Sequence, residues 1–319
     1  MIFAARGLLV SLAFFATVYC SLSALLVLAW RSLCRIRRKS CFASGIVGSA
    51  NFLFGLRIFS FTVSAVVAVL FTFPSFWLME RAALDEDAGT FILAACSLLI
   101  LGAGLFRAVR AQARTTGAVA RWSLAASNVG ATSMGDGAAA ISASNGAPAL
   151  ILVGIRRPRV MVSDMAATVL SENELQIAIR HELGHKRSWD NLKKVLISAT
   201  PFPGMSSLES TWREAAELAA DDAAVANRQD ALDLAAALIK LSRSSKRWSE
   251  PALASGLVSG SSSIGLRVER LLEWRRPRLR LQSTWPWALL VVSLMIVGIA
   301  GNYGTMLVLT HRLTEFLVP

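Results

Sequence analysis

The chain has 319 residues, 54% of them hydrophobic, and a mean hydropathy of +0.52, which is too apolar for an ordinary soluble domain of this size. A formal net charge of +12 would suit a nucleic-acid binder, but the basic residues gather at the ends of apolar runs, so membrane topology accounts for them and direct nucleic-acid binding drops out. Cys20, Cys34, Cys41 and Cys96 contain no C-x-x-C pair, which argues against a disulfide framework or a thiolate zinc site.

Taken in order, the chain offers four apolar runs near the roughly 20 residues that a membrane-crossing helix needs: 8–30, 58–79, 90–106 and 285–310. The first could be a cleaved leader, but it runs directly into Arg31, Arg35, Arg37, Arg38 and Lys39 without a small-residue cleavage site, which is a stop-transfer pattern. Arg107, Arg110, Arg114 and Arg121 follow the third run, and Arg275, Arg276, Arg278 and Arg280 precede the fourth. The 80–89 loop carries Glu80, Asp85, Glu86 and Asp87. The positive-inside rule then puts both termini outside, the 31–57 loop inside and residues 107–284 in the cytoplasm. The expected domains are a membrane region over 1–106, a cytoplasmic domain over 107–284, and a final span with a short external tail over 285–319.

Within 107–284, the Gly-, Ala- and Ser-rich stretch 127–147 reads as loop with short strands. The β-rich runs 149–155 and 160–163 flank Arg156, Arg157, Pro158 and Arg159, a hairpin pattern whose exposed strand could bind an extended peptide by β-augmentation. Ser171 with Glu174 forms a capping-box signature, and the apolar spacing predicts a helix over 172–196. A second long helix is predicted over 208–242. A Ser-rich connection follows over 242–264, with Pro251, Gly256 and Gly260, and then a short helix over 266–274.

His181-Glu182-Leu183-Gly184-His185 is an H-E-x-x-H motif inside the first of these helices, where residues four apart share a face and can point both imidazoles at one metal ion. Glu182 can then reach a water on that metal and act as the general base. A catalytic zinc takes three protein ligands. The position six residues after His185 is Asn191, and the other histidine, His311, falls across the membrane, so the third ligand must be a carboxylate. Glu217 is preferred, Glu214 is the alternative, and Asp221 is the acceptor that would fix a ligating imidazole.

These segments, Gly154 to Ser163, Leu170-Ser-Glu-Asn-Glu-Leu175, His181 to His185, Asp190-Asn-Leu192 and Glu217-Leu-Ala-Ala-Asp221, resemble the BlaR/MecR-type integral-membrane zinc metallopeptidases. The related HtpX/Ste24-like family shares the H-E-x-x-H and E-x-x-x-D parts. The resemblance implies a mainly α membrane protein whose cytoplasmic α+β gluzincin-like domain lies between the third and fourth spans. It also implies a Zn2+ cofactor, cleavage of a BlaI/MecI-like transcriptional repressor, and self-cleavage, for which 242–264 is the expected region. The sensor members carry an external penicillin-binding domain after the last span. Here only nine residues follow 310, so β-lactam sensing is not expected. The alternatives are an HtpX-like quality-control peptidase and a non-catalytic signal transducer with a structural zinc.

Overall fold

The structure, a computed structural model, describes residues 2–36, 50–79, 88–124, 132–134, 138–143, 149–155, 158–244, 255–256, 264–274 and 301–317. The 80–87 part of the acidic loop, the 37–49 part of the 31–57 loop, most of the 242–264 connection, Arg275 to Arg280 and the 285–300 part of the fourth span lie outside these residues.

Helix α1 covers Ile2–Ile36 and α2 covers Ala50–Val67. A π-helical turn, Ala68–Thr72, carries α2 into α3, Phe73–Met79, and α4 covers Ala88–Leu124. Three stretches, Phe3–Arg35, Ala50–Met79 and Ala88–Trp122, are long and apolar enough to cross a membrane. The π turn sits where Pro74 has no N–H and its ring crowds the carbonyl four residues back, at Leu70. That carbonyl accepts a hydrogen bond from the Tyr303 hydroxyl at 2.9 Å. Tyr303 opens the C-terminal helix, Tyr303–Leu317, so the helix does not stop at 310 as expected but runs seven residues further.

The third apolar run was expected to end at 106. Instead α4 continues unbroken through Arg107, Arg110, Arg114 and Arg121 to Leu124. It brings Val119 and Trp122 against Ile151, Val153 and Met161, so a membrane helix becomes a wall of the domain that follows it.

That domain contains a five-stranded sheet of order β1-β2-β4-β3-β5. The expected hairpin is β3, Leu150–Val153, antiparallel to β4, Arg159–Ser163. The 127–147 stretch supplies β1, Thr132–Met134, and β2, Ala138–Ala143, with β2 parallel to β4. The outer strand is β5, Ser255–Gly256, which pairs antiparallel with Ile151 and Leu152 of β3. Thus each strand of the hairpin has a second neighbour, β4 in β2 and β3 in β5, where the sequence led us to expect an exposed strand.

After the short helix α5, Asp164–Val169, both long predicted helices are broken in two. The capping box starts α6, Glu172–Arg187, as expected: Ser171 N donates to Glu174 Oε2 at 2.8 Å. The chain then turns at Trp189, whose φ of 57° is unusual for a bulky residue, and restarts as α7, Asp190–Ala199. Likewise α8, Ser206–Ala224, and α9, Arg228–Ser244, replace the single helix over 208–242. The second break carries its own cap: Asn227 Oδ1 accepts from Asp230 N at 2.9 Å, and Asp230 Oδ2 from Ala226 N at 3.0 Å, satisfying donors exposed at a helix start. Helix α10, Ile264–Leu272, corresponds to the predicted 266–274 helix, and the C-terminal helix Tyr303–Leu317 is α11.

Two apolar clusters are the largest among the described residues. Leu150, Leu152, Ile177, Ala178, Leu234, Leu238 and Leu241 anchor one beneath the sheet. The other joins Val27, Trp30 and Leu53 of the membrane helices to Leu208, Trp212 and Ala216 of α8. The α7–α8 corner is lodged among the spans. The Tyr19 hydroxyl donates to the Thr200 and Pro201 carbonyls at 3.2 and 3.0 Å, Phe202 packs on the Tyr19 ring, and Gly104 meets the Ala199 carbonyl too closely to tolerate a side chain. Arg57, buried, donates to Glu209 Oε1 at 2.9 Å and to the Thr200 carbonyl at 2.8 Å. The 1–106 and 107–284 segments are therefore packed against each other rather than held apart by linkers.

Candidate metal centre

Helices α6 and α8 cross with Gly184 against Ala220, where a Cβ on Gly184 would lie 3.2 Å from Ala220 Cα. The missing side chain lets two backbones approach closely, which brings His181 and His185 of α6 over Glu217 and Asp221 of α8. All five residues, with Glu182, are buried.

The two imidazoles face each other with Nε2 atoms 3.2 Å apart. Glu217 faces both, with Oε2 3.5 Å from His181 Nε2 and Oε1 3.6 Å from His185 Nε2. Among the described residues this is the one group of three potential ligands whose donor atoms lie mutually within 4.8 Å, and it could hold a metal ion. Ligand atoms about 2.1 Å from a shared tetrahedral ion sit about 3.4 Å apart, so the triangle already has the right size. Two imidazoles and a carboxylate suit zinc. Glu214, the other candidate from the sequence, is half-buried and outside the group.

Each imidazole has a carboxylate at its opposite nitrogen. His181 Nδ1 lies 2.9 Å from Asp221 Oδ1, an ion-pair contact that lacks the alignment of a well-formed hydrogen bond. His185 Nδ1 lies 2.7 Å from Asp190 Oδ2. Asp221 was foreseen at such a position, but Asp190 was missed as a partner. Its signal was the break after α6, since only the turn at Trp189 returns Asp190 to the His185 ring.

Arg267 of α10 was also missed. It is 1% exposed. Its Nε and Nη2 donate to the two oxygens of Asp221 at 2.8 and 2.7 Å, and its Nη1 donates to Glu217 Oε2 at 3.0 Å. One of two arginines in a short helix, with nothing along the chain to tell it from Arg270, gives no such warning from sequence.

The electrostatics follow from these contacts. Burial alone would lower both imidazoles, but it is outweighed: His181 is raised by its contacts with Asp221 and Glu217, and His185 by the charge of Glu217 and its bond to Asp190, up to about 10. Burial pushes Glu217 up, yet the opposing pull of His185, His181 and Arg267 holds it well below the usual carboxylate range. Glu182 differs, because burial dominates and raises it. Neither of its oxygens has a partner among the described residues. A buried, unpartnered carboxyl beside a ligand triangle is where a reactant water fits.

A pocket of about 300 Å³ adjoins His185, lined by Leu152, Ile155, Pro158, Trp189 and Leu192 among others. Asn191 Nδ2 donates to the carbonyls of Leu152 and Gly154 at 3.2 and 3.0 Å, fixing the hairpin beside it.

A model of the BlaR1 peptidase M56 family matches residues 91–271, more than half of the chain. The match runs from α4 to α10 and includes every residue of the centre. No curated protein matches the chain.

Proposed function

This chain belongs to the BlaR1 peptidase M56 family, and on that premise we propose that it is a membrane-bound zinc endopeptidase. The observation that supports this best is the buried triangle of His181, His185 and Glu217 with the unpartnered Glu182 beside it. Zinc held there would polarise a peptide carbonyl and acidify a water. Glu182, raised by burial, takes the proton of the attacking water and delivers it to the leaving amine. Asp221 and Asp190 hold the imidazoles in orientation, and the closed surroundings exclude bulk water.

The topology proposed is four spans with the peptidase domain in the cytoplasm, following the arginine distribution. The substrate proposed is a cytoplasmic protein, a BlaI/MecI-like transcriptional repressor in a signalling pathway. Self-cleavage in the 242–264 region is favoured by one observation: Ser255–Gly256 already lies as a strand along β3, the way an extended peptide substrate pairs.

Detergent-purified full-length chain is incubated with a candidate repressor, beside the Glu182→Gln variant and a chelator-treated sample. The proposal expects cleavage in the first sample alone. Zinc-loaded wild type that cleaves neither the repressor nor an unfolded protein would sink it in favour of a non-catalytic transducer.

A further inference from the structure

Glu217 and Asp221 stand one helical turn apart on the buried face of α8, where two carboxylates repel each other and burial penalises both charges. Besides His181, which faces both, the structure places a guanidinium between them. Arg267 comes from α10, with about 50 residues of chain separating it from its partners, and it uses all three of its nitrogens: two on Asp221 and one on Glu217. We propose that Arg267 is a positioning residue, which clamps Glu217 and Asp221 to one guanidinium and so holds the metal-binding triangle in shape. This rests on the zinc-peptidase reading of the same centre.

The geometry accounts for why the residue must be arginine. Asp221 Oδ1 accepts from Arg267 Nη2 at 2.7 Å and faces His181 Nδ1 at 2.9 Å, so the guanidinium fixes the oxygen that in turn orients the His181 ring. Nη1 takes Glu217 Oε2 at 3.0 Å, which sets the rotation of the carboxylate. A planar fork can serve two carboxylates at once, whereas a lysine nitrogen acts as a point charge. The same contact ties α10 to the centre, so the third ligand depends on a helix outside the α6–α8 pair that carries the ligands and Glu182. Arg270, one turn along α10, pairs with exposed Asp222 at 2.7 Å and serves as the contrast: it touches α8 but not the centre.

The test is zinc affinity of the full-length, chelator-stripped protein by competition with a chromogenic chelator, together with the visible spectrum of the cobalt-substituted form. Arg267→Gln and Arg267→Lys are compared with wild type and with Arg270→Gln. The expected result is an affinity lower by about 10- to 100-fold, the size seen when a group that orients a ligand is lost. The cobalt bands should be weakened or shifted in both Arg267 variants and unchanged in Arg270→Gln. A merely structural role would lower the melting temperature without altering the cobalt spectrum. Should Arg267→Gln fail to fold, Arg267→Lys carries the comparison. Wild-type affinity and spectrum in a folded Arg267 variant would overturn the proposal, and a wild type that takes up no metal would overturn the zinc-peptidase reading along with it.

Discussion

Gly184 lies directly against Ala220, so that a Cβ on the glycine would meet the Ala220 carbonyl oxygen at 3.3 Å as well as its Cα at 3.2 Å. This contact sets how near α8 comes to the two imidazoles. Gly184→Ala should push α8 outward by a few tenths of an ångström and weaken zinc binding several-fold, and Gly184→Val should do so far more, since added bulk in a packed crossing typically costs about 1–3 kcal/mol. Metal content after dialysis against graded chelator reads the effect; retention by Gly184→Val equal to wild type would show that the crossing does not limit the site.

Glu182→Gln should abolish hydrolysis, retain zinc and stabilise the metal-free fold. Burial raises the Glu182 carboxyl, so its contribution to stability is present below its unfolded pKa and is lost as pH rises through the folded one. Above its unfolded pKa the buried acid is therefore a net burden that glutamine removes. In chelator-treated protein the variant should melt higher than wild type at pH 7, with the gap closing toward pH 4. A lower melting point at pH 7 would contradict this.

Asp190→Asn leaves His185 Nδ1 without its carboxylate at 2.7 Å. Zinc affinity should fall by about 10- to 100-fold while the far-ultraviolet circular dichroism stays unchanged. Unaltered affinity would reduce Asp190 to the partner of Lys193 within α7.

Zinc uptake should release protons and strengthen with pH. His185 is raised to about 10 by the Glu217 charge and its bond to Asp190, so at pH 7 the metal-free His185 imidazole holds a proton that an ion must displace. Affinity should climb steadily between pH 6 and 9. Calorimetry in buffers of different ionisation enthalpy counts the released protons, and binding without release would contradict the raised pKa values.

Arg57 is 2% exposed and bonds Glu209 and Thr200 from within the membrane helices. Arg57→Met should destabilise the protein by about 3 kcal/mol, because it strands a partly buried carboxylate, and the double variant with Glu209→Gln should recover part of that loss. Additive effects in this cycle would mean that the pair is not coupled.

The sequence by itself determined what depends on neighbours along the chain: three long apolar stretches, the capping box at Ser171, the β3–β4 hairpin, and the four-residue spacing that sets His181 and His185 on one face. These follow from helix and strand periodicity and from the hydrogen-bonding needs of a helix start. Only the tertiary structure decided what depends on direction in space. The turn at Trp189 and the Asn227 cap each cut a helix whose apolar pattern continues across the break, so periodicity alone joined the halves. Asp190 reaches His185 because of the first break. Arg267 reaches Glu217 and Asp221 because α10 folds back across them, and β5 reaches β3 from about 100 residues away. Contacts between distant segments form wherever burial of charge and apolar surface is best satisfied by the whole chain, and no local pattern records which distant partner satisfies it.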